Sequence, residues 1–219
     1  MGKLNGAVLQ VTPFQQNCAV LWDETGKQGV VVDPGGDVDR ILALIDQTGA
    51  AIEQIWLTHG HLDHAGGATE LQESLCRRGA ATTAVPIIGP DQRDEFLLQG
   101  LEEQGRSYGF AMRNVTPDRW LREGDPVAFG EHHFDVLHCP GHTPGHVVFV
   151  NQTARFALVG DVLFQGSIGR TDFPYGDHPA LIRAIKEKLL PLGDDVSFLC
   201  GHGAASTIGA ERQTNPFLR

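Results

Sequence analysis

The sequence predicts an α/β fold in which two mixed sheets pack face to face and helices flank them. Three observations support this. The chain opens with three short apolar runs separated by turn residues, which is typical of antiparallel strands. Strands then alternate with amphipathic helices, and the second half of the chain repeats this order. No linker composition interrupts the 219 residues, so we expect a single domain over residues 1–219.

The first half opens with strands predicted at Gly6 to Val11, Cys18 to Trp22 and Gly29 to Val32. Apolar residues then recur at helical spacing after Asp37, which is expected to cap this helix, and Gly49 ends it. The same patterns predict a strand, a helix, a short strand and a second helix at Ile52 to Thr58, Ala65 to Arg78, Val85 to Ile88 and Asp91 to Gln104.

The second half is predicted to start after an irregular crossover at Ser107 to Asp125. Its clearest helix covers Leu181 to Leu190, with lysines in the last turn and Pro191 directly after it. A last helix follows the final strand. The strands are predicted at Pro126 to Phe129, Phe134 to Cys139, Val147 to Asn151, Phe156 to Val159 and Val196 to Cys200.

Composition excludes several classes of function. Lys and Arg number 17 against 27 Asp and Glu, a formal net charge of −10, so no broad basic surface for nucleic acid or anionic lipid is available. The four cysteines lack CxxC spacing, which favours a reducing compartment. No apolar run reaches the roughly 18 residues of a membrane span, and no export signal is visible. We expect a soluble cytoplasmic protein with no nucleic-acid or membrane partner, in an oligomeric state that the sequence leaves open.

The strongest functional pattern is a histidine-rich turn. The sequence Thr-His-Gly-His-Leu-Asp-His at 58–64 directly follows a predicted strand and holds four potential metal ligands, His59, His61, Asp63 and His64. Imidazoles two residues apart can point the same way from an extended chain end, and free N–H groups at the next helix start favour a carboxylate. A polar surface turn is the alternative, but four ligand types in this arrangement favour a metal site.

Three further ligand candidates each follow a predicted strand in the second half. They are His142 in Cys-Pro-Gly-His-Thr-Pro-Gly-His, Asp161 in Val-Gly-Asp and His202 in Cys-Gly-His-Gly. Each lies beside a glycine, which permits close approach of the backbone. Any one of them alone would more often be structural, and their shared position at strand ends is what makes them candidates.

Together these residues resemble the metallo-β-lactamase superfamily, and within it the glyoxalase II-like members of the short, single-domain YcbL-like type. The resemblance runs from about Thr12 to Leu218 and includes Val-Asp-Pro-Gly-Gly and Glu-Arg-Gln-Thr-Asn-Pro-Phe-Leu. It implies a four-layer αββα sandwich with the site at one edge between the sheets. It also implies that the C-terminal helical glutathione-binding domain of the larger members is not part of this chain.

The resemblance further implies two metal ions. One would be held by His59, His61 and His142, the other by Asp63, His64 and His202, with Asp161 bridging them. Imidazoles mixed with carboxylates suit Zn, Fe or Mn, and no cysteine ligand selects among these metals. Zinc is the expected metal, with iron or manganese as alternatives.

Other polar residues near the motifs have simpler roles. Asp33 either orients a ligand imidazole or forms the turn before Pro34. His146 is expected to pack against or support the site. His132 and His133 are assigned to a solvated hairpin turn.

Two metals at such a site would lower the pKa of a bridging water towards neutrality, so the nucleophile is expected to be a hydroxide, with Asp63 as the catalytic residue beside it. The chain has no GxSxG motif and no cysteine with a plausible activator. A thiolate leaving group, with a thiol pKa of roughly 8.5, departs near neutral pH without a general acid. A thioester is therefore the favoured substrate.

The glyoxalase II resemblance implies a small acyl-thiol substrate, a hydroxyacylglutathione and typically lactoylglutathione. The larger enzymes carry a Lys and a Tyr after the bridging Asp, and these residues contact glutathione. This chain departs from that pattern, so the thiol carrier of the substrate is either glutathione or another thiol. Arg170 is the candidate for a substrate carboxylate, with Phe173 and Tyr175 as walls. The alternative is that Arg170 pairs with Asp172 in a structural turn.

Three alternatives remain. A persulfide dioxygenase would use a mononuclear iron on His59, His142 and Asp161, but Gly60 and His146 stand where those enzymes commonly have Cys. A lactonase or other metallo-hydrolase has no specific residue in its favour. A non-enzymatic metal-stapled scaffold is disfavoured because three residues and a shared Asp leave a position for water.

Overall fold

The computed structural model describes residues 2–79 and 85–219. Within them, the first sheet combines an antiparallel β1-β2-β3 meander with parallel pairing of β3, β4 and β5. Its strands, in spatial as well as chain order, are β1 (Leu4–Val11), β2 (Gln16–Asp23), β3 (Gln28–Val32), β4 (Ala51–Trp56) and β5 (Ile87–Ile88).

The second sheet has the order β13-β12-β9-β8-β7-β6, and only β9 and β12 pair in parallel. Its strands are β6 (Pro126–Phe129), β7 (His132–His138), β8 (Val147–Asn151), β9 (Phe156–Gly160), β12 (Ser197–Cys200) and β13 (Ser206–Thr207). A separate hairpin joins β10 (Leu163–Phe164) to β11 (Ser167–Ile168). No pattern in the sequence analysis predicted this hairpin.

Helices follow the strands. They are α1 (Val38–Thr48), α2 (Leu62–Ala65), α3 (Ala68–Arg77), α4 (Glu95–Leu98), α5 (Leu101–Ser107), α6 (His178–Ala184) and α7 (Ile208–Thr214), with 3₁₀ turns at Gln92–Asp94, Leu190–Leu192 and Pro216–Leu218 and a π-helical segment at Ile185–Leu189. Within the described ranges, none of these helices has the length and apolar character needed to cross a bilayer.

The core lies in three layers of apolar contacts. Between the sheets, the Trp56 ring lies 5.0 to 5.8 Å from the rings of Phe129, Phe134 and Phe149. Burying each of these aromatic side chains contributes on the order of 2–3 kcal/mol. Two further clusters fill the space between each sheet and its outer helices. The predicted α/β sandwich of two mixed sheets flanked by helices is therefore confirmed.

Some local predictions were wrong. Asp37 precedes α1 but makes no side-chain cap bond; its φ is 50°, and its carboxylate accepts the backbone N–H of Thr12 at 2.8 Å. The helix expected from Asp91 to Gln104 is divided into a 3₁₀ turn, α4 and α5, with Gly100 between the two helices. The helix expected from Ala65 begins instead at Ala68, after the separate turn α2.

His132 was also placed wrongly. It is the first residue of β7, only 2% of its surface is exposed, and its Nε2 lies 3.0 Å from the Asp23 carboxylate. The hairpin turn lies at residues 130–131, two residues earlier than the expected 132–133, so both histidines belong to β7, with His132 directed inward and His133 outward.

Candidate metal centre

The seven predicted ligands come together at one edge between the sheets. Four of them follow β4, and the others follow β7, β9 and β12. Because β9 and β12 run in parallel, their carboxyl ends deliver side chains to the same edge. A Cβ at Gly201 would fall on Asp161 Oδ1 and against the His64 ring, so this close approach requires a glycine.

One group consists of three imidazole nitrogens. His61 Nδ1 lies 3.1 Å from His59 Nε2 and 2.9 Å from His142 Nε2. Three nitrogen atoms at this separation converge on one point, as the ligands of a metal ion do.

A second group contains Asp63, His64 and His202. His202 Nε2 lies 3.1 Å from Asp63 Oδ2, and His64 Nε2 lies 3.9 Å from the same oxygen. The ligand atoms of this group also lie within 4.8 Å of one another.

Asp161 faces both groups. Its Oδ2 lies 3.5 Å from His142 Nε2 and 3.7 Å from His202 Nε2, and its Oδ1 lies 3.3 Å from His64 Nε2. A single carboxylate thus connects the three-histidine group with the Asp63 group.

A divalent cation fits these residues. His64 Nε2 and Asp161 Oδ1 are buried and face each other, yet neither has a hydrogen-bond partner among the described residues. Buried polar atoms without partners are costly, and a cation between a nitrogen lone pair and a carboxylate would satisfy both. The donor set of imidazole and carboxylate is also one that divalent transition metals bind.

Hydrogen bonds behind the histidines favour the tautomers that ligands need. Thr58 Oγ1 donates to Asp33 Oδ2 at 2.6 Å, so it accepts from His59 Nδ1, 3.0 Å away. His64 Nδ1 lies 2.9 Å from Asp33 Oδ2, and His142 Nδ1 lies 2.8 Å from the carbonyl oxygen of Arg170. Each of these rings therefore carries its hydrogen at the back and directs a lone pair into the site.

Asp33 thus does both things that the sequence left open. It occupies a turn with φ 52°, and its carboxylate accepts from the Thr58 backbone, the Thr58 hydroxyl and His64. His146 is equally close to the site. Its Nε2 accepts the backbone N–H of Asp161 at 3.0 Å, and its ring stacks on His59 with centroids 4.6 Å apart.

The electrostatics separate the two groups. Burial lowers the pKa of His59 well below its usual value and that of His61 to about 3, and neighbouring imidazoles add to the effect. Burial also acts to lower the pKa of His64, but the carboxylates of Asp161, Asp63 and Asp33 outweigh burial and raise this pKa well above its usual value. Positive charge is therefore favoured where the carboxylates converge, which is the charge that a divalent cation supplies.

A cleft of about 640 Å³ opens above the ligands. Arg170 lies at its rim, where its guanidinium makes two 2.7 Å hydrogen bonds to Asp172 and stacks 4.4 Å above the Phe173 ring. Tyr175 stacks on Phe173 with centroids 5.3 Å apart. The structural pairing with Asp172 is therefore present, and the aromatic wall is formed by the two predicted residues. The described side chains of the cleft also include Phe14, Leu62, Gln104, Ser107, Tyr108, Phe164, Ser167 and Ile168.

Two supporting contacts were missed by sequence reasoning. The Tyr175 hydroxyl oxygen lies 2.8 Å from His61 Nε2, and the buried Asp94 carboxylate contacts both histidine loops. Their partners are far away in the sequence, and nothing in the local pattern distinguishes Asp94 from an ordinary residue of a helix start.

A sandwich of this architecture with a cluster of His and Asp ligands at its edge defines a metallo-hydrolase with a site for divalent metal. Comparison with known proteins identifies the family. Residues 11–202 match the metallo-beta-lactamase superfamily, and the chain belongs to it.

Three relatives illustrate the similarity. Hydroxyacylglutathione hydrolase GloC of Haemophilus influenzae is 43% identical over 217 residues, 98% of each chain. The crystal structure of TTHA1623 in a di-iron-bound form superposes with a TM-score of 0.84 at 38% identity, over 97% of this chain and 100% of that one. The crystal structure of BLEG-1, a B3 metallo-beta-lactamase, gives a TM-score of 0.86 at 33% identity, over 98% and 99%.

Proposed function

We propose that this protein is a two-metal thioester hydrolase that acts on small acyl-thiols of the hydroxyacylglutathione type, and that residues 1–219 form its single catalytic domain. The observation that carries the proposal is the Asp161 carboxylate, which faces both groups of candidate ligand atoms: Oδ2 lies near His142 and His202, and Oδ1 lies near His64. The 43% identity with GloC supports the choice of substrate.

The ligands divide as the two groups do. We assign His59, His61 and His142 to one ion, Asp63, His64 and His202 to the other, and Asp161 to both. Two divalent ions held by these residues would lower the pKa of a water molecule, so that it could serve as the nucleophile, and would polarise the thioester carbonyl. Zinc is the metal that we expect, while the di-iron form of TTHA1623 keeps iron open.

The chain's own residues prepare the site for this chemistry. Asp33, Thr58 and the Arg170 carbonyl fix histidine tautomers. Burial acts to raise the pKa of Asp63, but His64 and His202 outweigh it and lower the pKa below its usual value. Asp63 is therefore ionised at neutral pH, and because it lines the cleft, its carboxylate can accept a hydrogen bond from the attacking water and orient it.

The leaving group and the rest of the substrate need fewer protein groups than the nucleophile does. A thiolate departs near neutral pH because the pKa of its thiol is roughly 8.5. Phe173 and Tyr175 offer aromatic faces to the substrate, and we keep Arg170 as the group for a substrate carboxylate. Its two hydrogen bonds to Asp172 leave its third nitrogen available for that contact.

The proposal is tested by metal analysis together with two assays. Protein loaded with Zn, Mn or Fe should hold two ions per chain and release thiol from lactoylglutathione without consuming O₂. Lactoyl thioesters of pantetheine and of N-acetylcysteamine, assayed in parallel, report whether glutathione is required. Asp161→Ala should lose both ions. One iron per chain with O₂ uptake on glutathione persulfide would instead establish the dioxygenase.

A further inference from the structure

A buried carboxylate lies behind the three-histidine group. Asp94 is the last residue of the 3₁₀ turn Gln92–Asp94, and none of its surface is exposed. The turn leads into α4 on the outside of the two loops that carry His59, His61 and His142. Asp94 itself is too deep to reach the cleft, and it is absent from the described lining of that cleft.

Three hydrogen bonds connect Asp94 to these loops. Its Oδ2 accepts the backbone N–H of Gly60 at 2.9 Å and the hydroxyl of Thr143 at 2.7 Å, and its Oδ1 accepts the backbone N–H of Gly145 at 2.5 Å. Gly60 stands between two ligand histidines, and Thr143 directly follows the third.

The backbone at both glycines is fitted to this turn. A Cβ at Gly60 would lie 2.8 Å from the Leu97 Cβ, and a Cβ at Gly145 would lie 2.7 Å from the Asp94 backbone nitrogen. Any side chain would therefore push the turn away from the loops. The 3.0 Å bond from the Asp91 backbone N–H to the Gly145 carbonyl oxygen holds the same contact.

The two loops come from different sheets, so their register sets the geometry of the ligands. Gly60 follows β4 of the first sheet, whereas Thr143 and Gly145 lie between β7 and β8 of the second. The Val147 N–H bond to the Thr58 carbonyl oxygen, 2.8 Å, joins them at the base. Asp94 joins them at the level of the ligands, where His61 and His142 approach to 2.9 Å.

We propose that Asp94 is a positioning residue that locks the two loops together and so sets the affinity of the three-histidine group for its metal ion. An ionised carboxylate is an acceptor at both oxygens and suits three donors at once. Asparagine offers a single acceptor oxygen. Depending on the orientation of the amide, its hydrogens would face the donors of Gly60 and Thr143 in one case and the donor of Gly145 in the other. The inference rests on the proposed metal assignment and is independent of the substrate.

The experiment compares metal affinity in Asp94→Asn with that in Glu95→Gln, which changes the neighbouring exposed carboxyl in the same way. Titration of metal-free protein against a chromophoric chelator gives the affinity, and the visible spectrum of the Co²⁺ form gives ligand geometry. We expect Asp94→Asn to bind its three-histidine ion about 10- to 100-fold more weakly with an altered Co²⁺ spectrum, and Glu95→Gln to match the wild type.

A second pair keeps the proposal testable if Asp94→Asn does not fold. Thr143→Val removes one hydrogen bond with little change of shape, and Thr143→Ser restores the hydroxyl. Weaker binding in the valine variant and recovery in the serine variant support the proposal. Wild-type affinity and spectrum in both Asp94→Asn and Thr143→Val would overturn it. A wild type that binds one ion would instead refute the two-metal function, and the comparison among variants would still decide the role of Asp94.

Discussion

The Tyr175 hydroxyl oxygen lies 2.8 Å from His61 Nε2, at the back of the imidazole whose Nδ1 faces His59 and His142. Because Nδ1 directs its lone pair into the site, Nε2 carries the hydrogen and donates it to the tyrosine. Tyr175 thus combines two roles: its ring lines the cleft as the sequence predicted, and its hydroxyl contacts the ring of His61, a proposed metal ligand.

We therefore expect Tyr175→Phe to weaken metal binding about three- to tenfold, the equivalent of one net hydrogen bond of roughly 0.5–1.5 kcal/mol. KM should change little, because the aromatic ring remains on Phe173. Competition titration and steady-state kinetics measure the two effects separately. Tyr108→Phe is the matched control, since this tyrosine also lines the cleft but lies against Phe14 through its ring. Equal metal affinities in the two variants would contradict the assignment.

Asp33 should be needed for the correct tautomer of His64. In Asp33→Asn, the side-chain NH₂ can lie towards Thr58 and His64, so that His64 Nδ1 must accept a hydrogen bond from it. The ring hydrogen of His64 then moves to Nε2, where it points into the site and blocks the lone pair that a metal ion needs. We expect metal affinity to fall by 10- to 100-fold or more while the fold survives, as shown by circular dichroism. Asp37→Asn, at the other Asp of positive φ in this loop, should bind metal normally. Loss of metal from both variants would indicate a general disturbance of the loop.

The candidate ligand residues could be identified from the sequence because their pattern is local. His59, His61, Asp63 and His64 lie within six residues of one strand end, and each remaining ligand stands beside a glycine after a strand. The two-sheet sandwich was also predictable, because the apolar faces of its strands and helices must pack against one another.

The supporting contacts could not be predicted, because they depend on how distant segments align. Tyr175 is 114 positions from His61, and Asp94 is 34 positions from Gly60. The hairpin of β10 and β11 was missed for another reason. Its strands have two residues each, too short to show alternation.

The pH dependence of folding should show the cost of burying Asp94. Burial raises the pKa of this carboxyl to about 6 against the opposing hydrogen bonds from Thr143, Gly60 and Gly145. The charged or titratable neighbours are Asp91, which also raises it, and Tyr175. Since the folded pKa lies above the ordinary 3.8, the neutral acid is the form that folding favours. Its contribution to stability is complete below about pH 4 and disappears as the pH rises through about 6.

Urea unfolding of metal-free protein measures this contribution. The free energy of unfolding of the wild type, relative to Asp94→Asn, should fall by up to roughly 3 kcal/mol between pH 4 and pH 7. The histidine ligands titrate in both proteins and cancel in the difference. A constant difference between the wild type and Asp94→Asn would show that burial does not perturb this carboxyl.

The last helix should control the cleft through the β10–β11 hairpin. The buried Glu211 carboxylate accepts the Gly166 N–H at 2.8 Å, and the Asn215 amide donates to Glu211 and to the Ser167 carbonyl oxygen, each at 2.9 Å. The hairpin brings Phe164 and Ser167 to the cleft wall.

Because these bonds lie behind the hairpin and away from the ligands, Asn215→Ala should raise KM several-fold while two metal ions remain bound. It should also lower the free energy of unfolding by about 1–3 kcal/mol, since Glu211 loses a partner. Thr214→Val, which removes an exposed hydroxyl bond within the same helix, should leave KM unchanged. Metal loss from Asn215→Ala, or an unchanged KM, would show that the hairpin does not shape substrate binding.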